Sequence, residues 1–211
     1  MTASPSGRCS TDPIRVRIGV TGHRSLSAER SSLLGSKVSQ VLQLIEAEHL
    51  CHDQECVVVF EVISPLAEGA DRLVVERARE FAMSADRRRV ELVAVLPLAQ
   101  DDYIMDFERP ESRSEFLRLL GSARDVVTLG PFPTRVEAYM GAGRYVVDGC
   151  EVLIAIWDGN SSKARGGTAD VMAYARTVHK PTYWIHSETG EVEAFDLDEK
   201  KAGPERGLEN R

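Results

Sequence analysis

A chain of 211 residues with 43% hydrophobic and 28% charged side chains has the composition of a globular domain able to bury a sizeable core. Its net charge of −7 argues against a broad basic face for duplex nucleic acid, and no apolar run approaches the roughly 20 residues of a membrane span. The opening MTASPSGRCSTDP lacks the apolar stretch of a secretory leader, and Cys9, Cys51, Cys56 and Cys150 show no CxxC or metal-finger spacing, so a cytoplasmic protein with reduced thiols is expected.

Residues 1–14, rich in Ser, Thr and Pro, read as a flexible tail. Arg15–Val20 (RVRIGV) is a predicted first strand, running into Thr21-Gly22-His23-Arg24. A long helix is predicted to follow to about His49, with Leu33, Leu34, Val38, Val41, Leu42 and Ile45 on its buried side and Ser25 or Ser27 as its cap. Val57–Ile63 is β-branched and nearly continuous, as a strand buried on both faces should be. It ends in Ser64-Pro65-Leu66-Ala67-Glu68-Gly69-Ala70-Asp71, and a helix is predicted over Asp71–Met83. Arg87-Arg88-Arg89 reads as a solvated turn, and Val90–Leu96 as the third strand, stopped by Pro97.

Two short helices are predicted over Asp101–Phe107 and Arg113–Leu120, a minor strand over Asp125–Leu129, and a helix over Val136–Val147 despite Gly141 and Gly143. Val152–Trp157 is an apolar strand ending in Asp158-Gly159; a polar loop, Gly166-Gly167-Thr168 and a further helix follow it. Thr182–Ile185 is expected to close the sheet, with 187–211 as a second tail. Strands alternating with helices, without a hairpin signal, predict an α/β fold: a three-layer Rossmann-like parallel sheet with helices on both faces, in one domain over 15–186. Ligands of such sheets lie beyond the carboxyl ends of the strands, where the strand order reverses.

Three loops should meet there: Thr21–Arg24, Ser64–Asp71 and Asp158–Asp170. Gly166, Gly167 and Thr168 put backbone N–H groups and a helix start at a strand end, which suits a phosphate. Thr21 and Gly22 offer a hydroxyl and an open backbone, and Arg24 suits bidentate phosphate contact. His23 is a titratable ring, with turn capping as its plainer role; Arg24 could instead pair with Asp71. Glu68, Gly69 and Asp71 open the second helix, so Glu68 and Asp71 are either caps or groups that meet sugar hydroxyls or move protons. Asp158 faces the same space, Asp170 either balances the helix dipole or holds a sugar hydroxyl, and Tyr103 is either a base-stacking ring or a core-edge aromatic. The five histidines lack an HExxH or paired spacing, so neither a metal nor a cofactor is expected. GxSxG and GxxxxGK[ST] are absent, which excludes a nucleophile elbow and a P-loop.

IGVTGHR at 18–24, SPLAEGADRLV at 64–74, LPL at 96–98 with DDYIMDF at 101–107, and EVLIAIWDG at 151–159 with GGTAD at 166–170 together resemble the SLOG superfamily. This Rossmann-like group joins the Lonely Guy (lysine-decarboxylase-like) phosphoribohydrolases and the DNA-uptake processing protein family. The resemblance spans about residues 15–186 and implies a nucleotide or nucleotide-derived ligand on the GGTAD loop, sensed or processed there. The phosphoribohydrolase pattern Pro-Gly-Gly-x-Gly-Thr-x-x-Glu carries its acid three residues after the Thr; here Ala169, Asp170 and Val171 follow Thr168, so the acid is one residue early, turned by about 100° on a helix. Glu68 and Asp170 are the carboxylates that N-glycosidic cleavage of a nucleoside 5′-monophosphate would call on. The EVLIAIWDG section also resembles nucleoside deoxyribosyltransferases, whose nucleophilic Glu has no counterpart here. The expected reading is therefore a binding or sensing domain, with the glycosidase as alternative. Nucleic acid and membrane are not expected partners, and self-association stays open.

Overall fold

β-branched and aliphatic runs become strands here because every second side chain enters one of two cores. In a computed structural model that describes residues 12–49, 56–160 and 166–197, β2 (Val58–Ser64) sends Phe60 and Val62 to one core and Ile63 to the other. β5 (Val152–Trp157) divides the same way, with Val152, Ile154 and Ile156 on one side and Leu153, Ala155 and Trp157 on the other. These strands join β1 (Ile14–Gly22), β3 (Arg88–Leu96), β4 (Asp125–Thr128), β6 (Thr182–His186) and β7 (Val192–Phe195). The seven-stranded sheet has the order β4-β3-β2-β1-β5-β6-β7. All pairs are parallel except β6 with β7.

On one face lie α1 (Ala28–His49), α2 (Ala70–Met83) and, beyond them, α3 (Gln100–Tyr103) and α4 (Pro110–Leu120); α5 (Arg135–Gly149) and α6 (Thr168–Thr177) cover the other. This is the expected three-layer Rossmann-like α/β arrangement. The chain builds outward from β1 to β4, then returns to β1 and places β5 on its other side. That reversal opens a crevice between the carboxyl ends of β1 and β5.

Several local expectations change. Leu34, Val38, Val41, Leu42 and Ile45 are fully buried along α1, but Leu33 is 42% exposed; one residue out of phase turns it about 100° from the stripe. Ser27 caps this helix, its hydroxyl accepting from Arg30 N–H at 3.3 Å. Arg88 is no solvated turn: it begins β3, donates to Glu46 twice at 2.7 Å and stacks over Phe81 at 3.9 Å. β6 and β7 form an antiparallel hairpin that no turn signal announces, so the sheet continues to Phe195, within the predicted 187–211 tail; its turn is closed by Gly190 N–H donating to His186 O at 2.8 Å. Cys56 and Cys150 are free thiols, and burial pushes the Cys150 thiol up to about 11, so it is inert packing. Residues 1–11 and 198–211 of the expected tails, Cys9, Cys51 and His52 lie outside the described residues. Among the described residues, no helix is long and apolar enough to cross a membrane.

Candidate functional site

The first βα loop is the hub of the crevice. His23 N–H donates to Ile156 O at 3.0 Å on β5, and His23 O accepts from Ala70 N–H at 3.0 Å at the start of α2. The backbone of one residue thus ties β1, β5 and α2 together. Around it lies a cavity of about 360 Å³, at the small end of the range for small-molecule sites. Thr21, Gly22, His23 and Arg24 from the first loop, Asp71 from the second, and Asp158, Gly166, Gly167 and Thr168 from the third all line it, with Tyr103 beside them. The three loops therefore converge as expected. Residues 161–165 of the third loop lie outside the described residues.

Three candidates stand elsewhere or work differently. Glu68 is directed to a separate groove between α2 and α4, where it accepts a hydrogen bond from Ser112 Oγ; it is not a wall of the crevice. Gly69 lies against the same groove and serves packing. Its φ of 76° favours glycine, and a Cβ there would overlap the carbonyl oxygens of His23 and Arg24. Asp170 is taken up by its own loop, accepting from Gly166 N–H at 2.6 Å, and does not line the cavity. A carboxylate in the first helical turn that reaches back to an N–H just before the helix is a cap. The two carboxylates that N-glycosidic cleavage would call on therefore stand outside the cavity lining, each engaged by a donor of the protein. Tyr103 is corrected too: it is 1% exposed, with Phe107 and Phe116 edge-on at 5.2 and 5.6 Å, so no base can stack on it and it is the core-edge aromatic.

The charges that remain are few. Asp71 is 4% exposed and accepts from Ala67 N–H at 3.1 Å. Burial pushes its carboxyl up to about 7, against the pull of that N–H, of Arg24 and Arg72, and of the Ser64 hydroxyl. Asp158 is held below the usual carboxylate range, chiefly by Asn160 N–H donating at 2.9 Å. His23 Nε2 lies 3.1 Å from Asp158 Oδ1 and 3.2 Å from Asp158 N. Nε2 accepts from Asp158 N–H, which holds the ring against the end of β5. Arg24 is exposed, makes no ion pair among the described residues, and stacks over Tyr139 at 5.1 Å. It forms no ion pair with Asp71 and stands as a cation at the lip of the cavity.

Opposite these groups, α6 begins with Thr168 after Gly167, so its first-turn N–H groups, the positive end of the helix dipole, stand at the crevice floor. Gly166 just before has φ 82°. The start of α2 is less open, since His23 O already takes Ala70 N–H. Among the described residues no three metal-ligating side chains cluster.

Sequence reasoning missed the wall supplied by α5. Tyr139, Ala142 and Gly143 line the crevice, with Trp157 and Asn160 at the β5 end. Tyr139 is held by its hydroxyl to Asp106, which also accepts from Arg135 at 2.7 Å. Two glycines in a helical pattern were the available signal: Gly143 lies against Val171 of α6 and leaves the crevice open between the two helices.

No protein-family model matches the chain, and no curated protein matches it either.

Proposed function

We propose that the protein binds a nucleotide or nucleotide-derived small molecule in this crevice and acts as a sensor or binding domain of the SLOG type. One observation carries the reading: Arg24, Asp71, Asp158 and the Gly166-Gly167-Thr168 helix start share one cavity at the strand-order reversal. A phosphate on the start of α6 gains N–H donors and the helix dipole. Arg24, which makes no ion pair among the described residues, supplies a cation, and Asp158 is an ionised acceptor suited to sugar hydroxyls.

A thermal-shift series with AMP, ADP and cyclic mononucleotides tests the proposal. A ligand at a hundred times its Kd adds about 2.7 kcal/mol of stability. Gly167→Val, which fills part of the floor, should abolish the shift; a shift that survives it overturns the assignment.

The second reading, cleavage of the N-glycosidic bond of a nucleoside 5′-monophosphate, draws on Asp71, a buried carboxyl near 7 in the crevice and so poised to give a proton to a departing base. Chromatography of AMP, GMP, CMP and UMP after incubation decides between them: free base supports hydrolysis, intact nucleotide supports binding alone.

A further inference from the structure

Asp71 and Arg24 line the same cavity, and the charge of Arg24 favours the ionised form of Asp71, so an incoming anion acts on both. The Asp71 carboxyl opens α2 and forms part of the wall of the cavity that Gly166, Gly167 and Thr168 also line. One oxygen is engaged by Ala67 N–H at 3.1 Å. Around the carboxyl stand Ser64 from the end of β2, Arg24 from the first loop, Arg72 on α2 itself and Tyr103 from α3. Beyond them are Tyr139 from α5 and the His23–Asp158 pair. Arg72 is committed elsewhere: it donates to Leu66 O, Ser112 and Glu115 and lies over Phe107. Among the described residues that line the cavity, Arg24 is the cation outside any ion pair.

We propose that Asp71 makes the crevice take up its ligand's phosphate together with one proton, so that at mildly alkaline pH the acid is ionised without ligand and protonated beside the bound anion. The inference rests on the reading that the crevice receives a phosphate-bearing ligand. A phosphate that draws Arg24 to itself removes the countercharge from Asp71 and adds a like charge in the same cavity. Both changes favour the protonated acid. Burial has already brought the group to about 7, so a modest further push crosses neutrality. The protonated carboxyl then presents an O–H donor to a phosphate oxygen, where the carboxylate would present only lone pairs. The pairing also selects: a neutral nucleoside neither recruits Arg24 nor recruits the proton.

Calorimetric titration of AMP into the full chain at pH 7.0, 7.75 and 8.5, in buffers of different ionisation enthalpy, tests this. The second phosphate ionisation lies near 6, so AMP itself hardly titrates in that window. Wild type should take up a fraction of a proton that is greatest between the free and the bound ionisation of Asp71, and should lose affinity as pH rises above neutrality, by at most about tenfold per pH unit. Asp71→Asn, the neutral isostere, should bind without the slope and without proton uptake. Arg24→Gln, at an exposed position, should bind more weakly and take up less proton at pH 7.75, because Asp71 then already holds its proton. A flat wild-type profile, or a slope retained in Asp71→Asn, overturns the proposal. If AMP does not bind, ribose 5-phosphate, a phosphate monoester whose second ionisation also lies near 6, replaces it. Binding of ribose 5-phosphate alone, with proton uptake that Asp71→Asn removes, retires the nucleotide reading and keeps this one, and no binding of either retires both.

Discussion

The starts of α2 and α6 look alike in sequence and are used in opposite ways. Each follows a strand end, each has glycine as its N-cap, and each carries an aspartate in its first turn, Asp71 or Asp170. Both aspartates accept from the N–H four residues earlier, Ala67 at 3.1 Å and Gly166 at 2.6 Å. At α2 the backbone is spent on the protein, since Ala70 N–H bonds His23 O, and the side chain of Asp71 is offered to the cavity. At α6 the side chain of Asp170 is spent on the protein, and Gly166, Gly167 and Thr168 line the cavity. The same local motif therefore gives the cavity a side-chain acid in one place and backbone in the other; what packs against it decides which.

The largest expected effect comes from Gly69→Ala. Its φ of 76° and the His23 and Arg24 carbonyls leave no place for a methyl group, so urea denaturation should show a loss of about 2–4 kcal/mol. A loss under about 0.5 kcal/mol would mean the α2 start is not packed as described.

Next is the pH dependence set by Asp71. Its carboxyl is raised to about 7 in the folded chain from the 3.8 of an unperturbed Asp, so between those values the unfolded chain has released a proton that the native one keeps. Asp71 therefore makes stability fall as pH rises through that window, by up to about 1.4 kcal/mol per pH unit, and adds no further slope above it. Asp71→Asn should remove this component, gaining stability over wild type at pH 7.5 more than at pH 4.5. Parallel profiles for the two proteins would show that the buried acid does not titrate there.

Asp170→Ala removes a cap rather than a catalyst, with an expected cost of about 1 kcal/mol and faster amide exchange at Gly166 and Gly167. The smallest effect belongs to Glu68→Gln: any nucleotide-induced thermal shift should be unchanged, because Glu68 faces Ser112 in the neighbouring groove. A lost shift would bring that carboxylate back into the site and break the contrast between the two helices.

Much of this molecule was legible in one dimension. Apolar runs marked β1, β2, β3, β5 and β6, and the 3.6-residue spacing of Leu34, Val38, Val41, Leu42 and Ile45 marked the buried stripe of α1. Alternation of strand and helix pointed to parallel pairing, and parallel pairing brings strand ends and their loops to one edge, so the meeting of Thr21–Arg24, Asp71, Asp158 and Gly166–Thr168 followed. Less legible were the directions of single side chains. Tyr103 could have faced a ligand until Phe107 and Phe116 enclosed its ring. Glu68 could have faced the crevice until Ser112, 44 residues away, supplied a donor. The wall formed by Tyr139, Ala142 and Gly143 depended on α5 crossing the far face of the sheet.

By itself, then, the order of residues determined which segments extend, which coil, and which loops share an edge, because backbone preference and hydrophobic periodicity are local properties summed along the chain. Tertiary structure alone decided that Asp71 and Asp158 line the crevice while Glu68 and Asp170 do not, that Arg24 stacks on Tyr139 instead of forming an ion pair with Asp71, and that β7 extends the sheet. Each of these turns on which donor, acceptor or ring lies within about 3–5 Å of a side chain, and hydrogen bonds and stacking fade over that range. Neighbours that close are brought together from distant parts of the chain, and no local pattern specifies them.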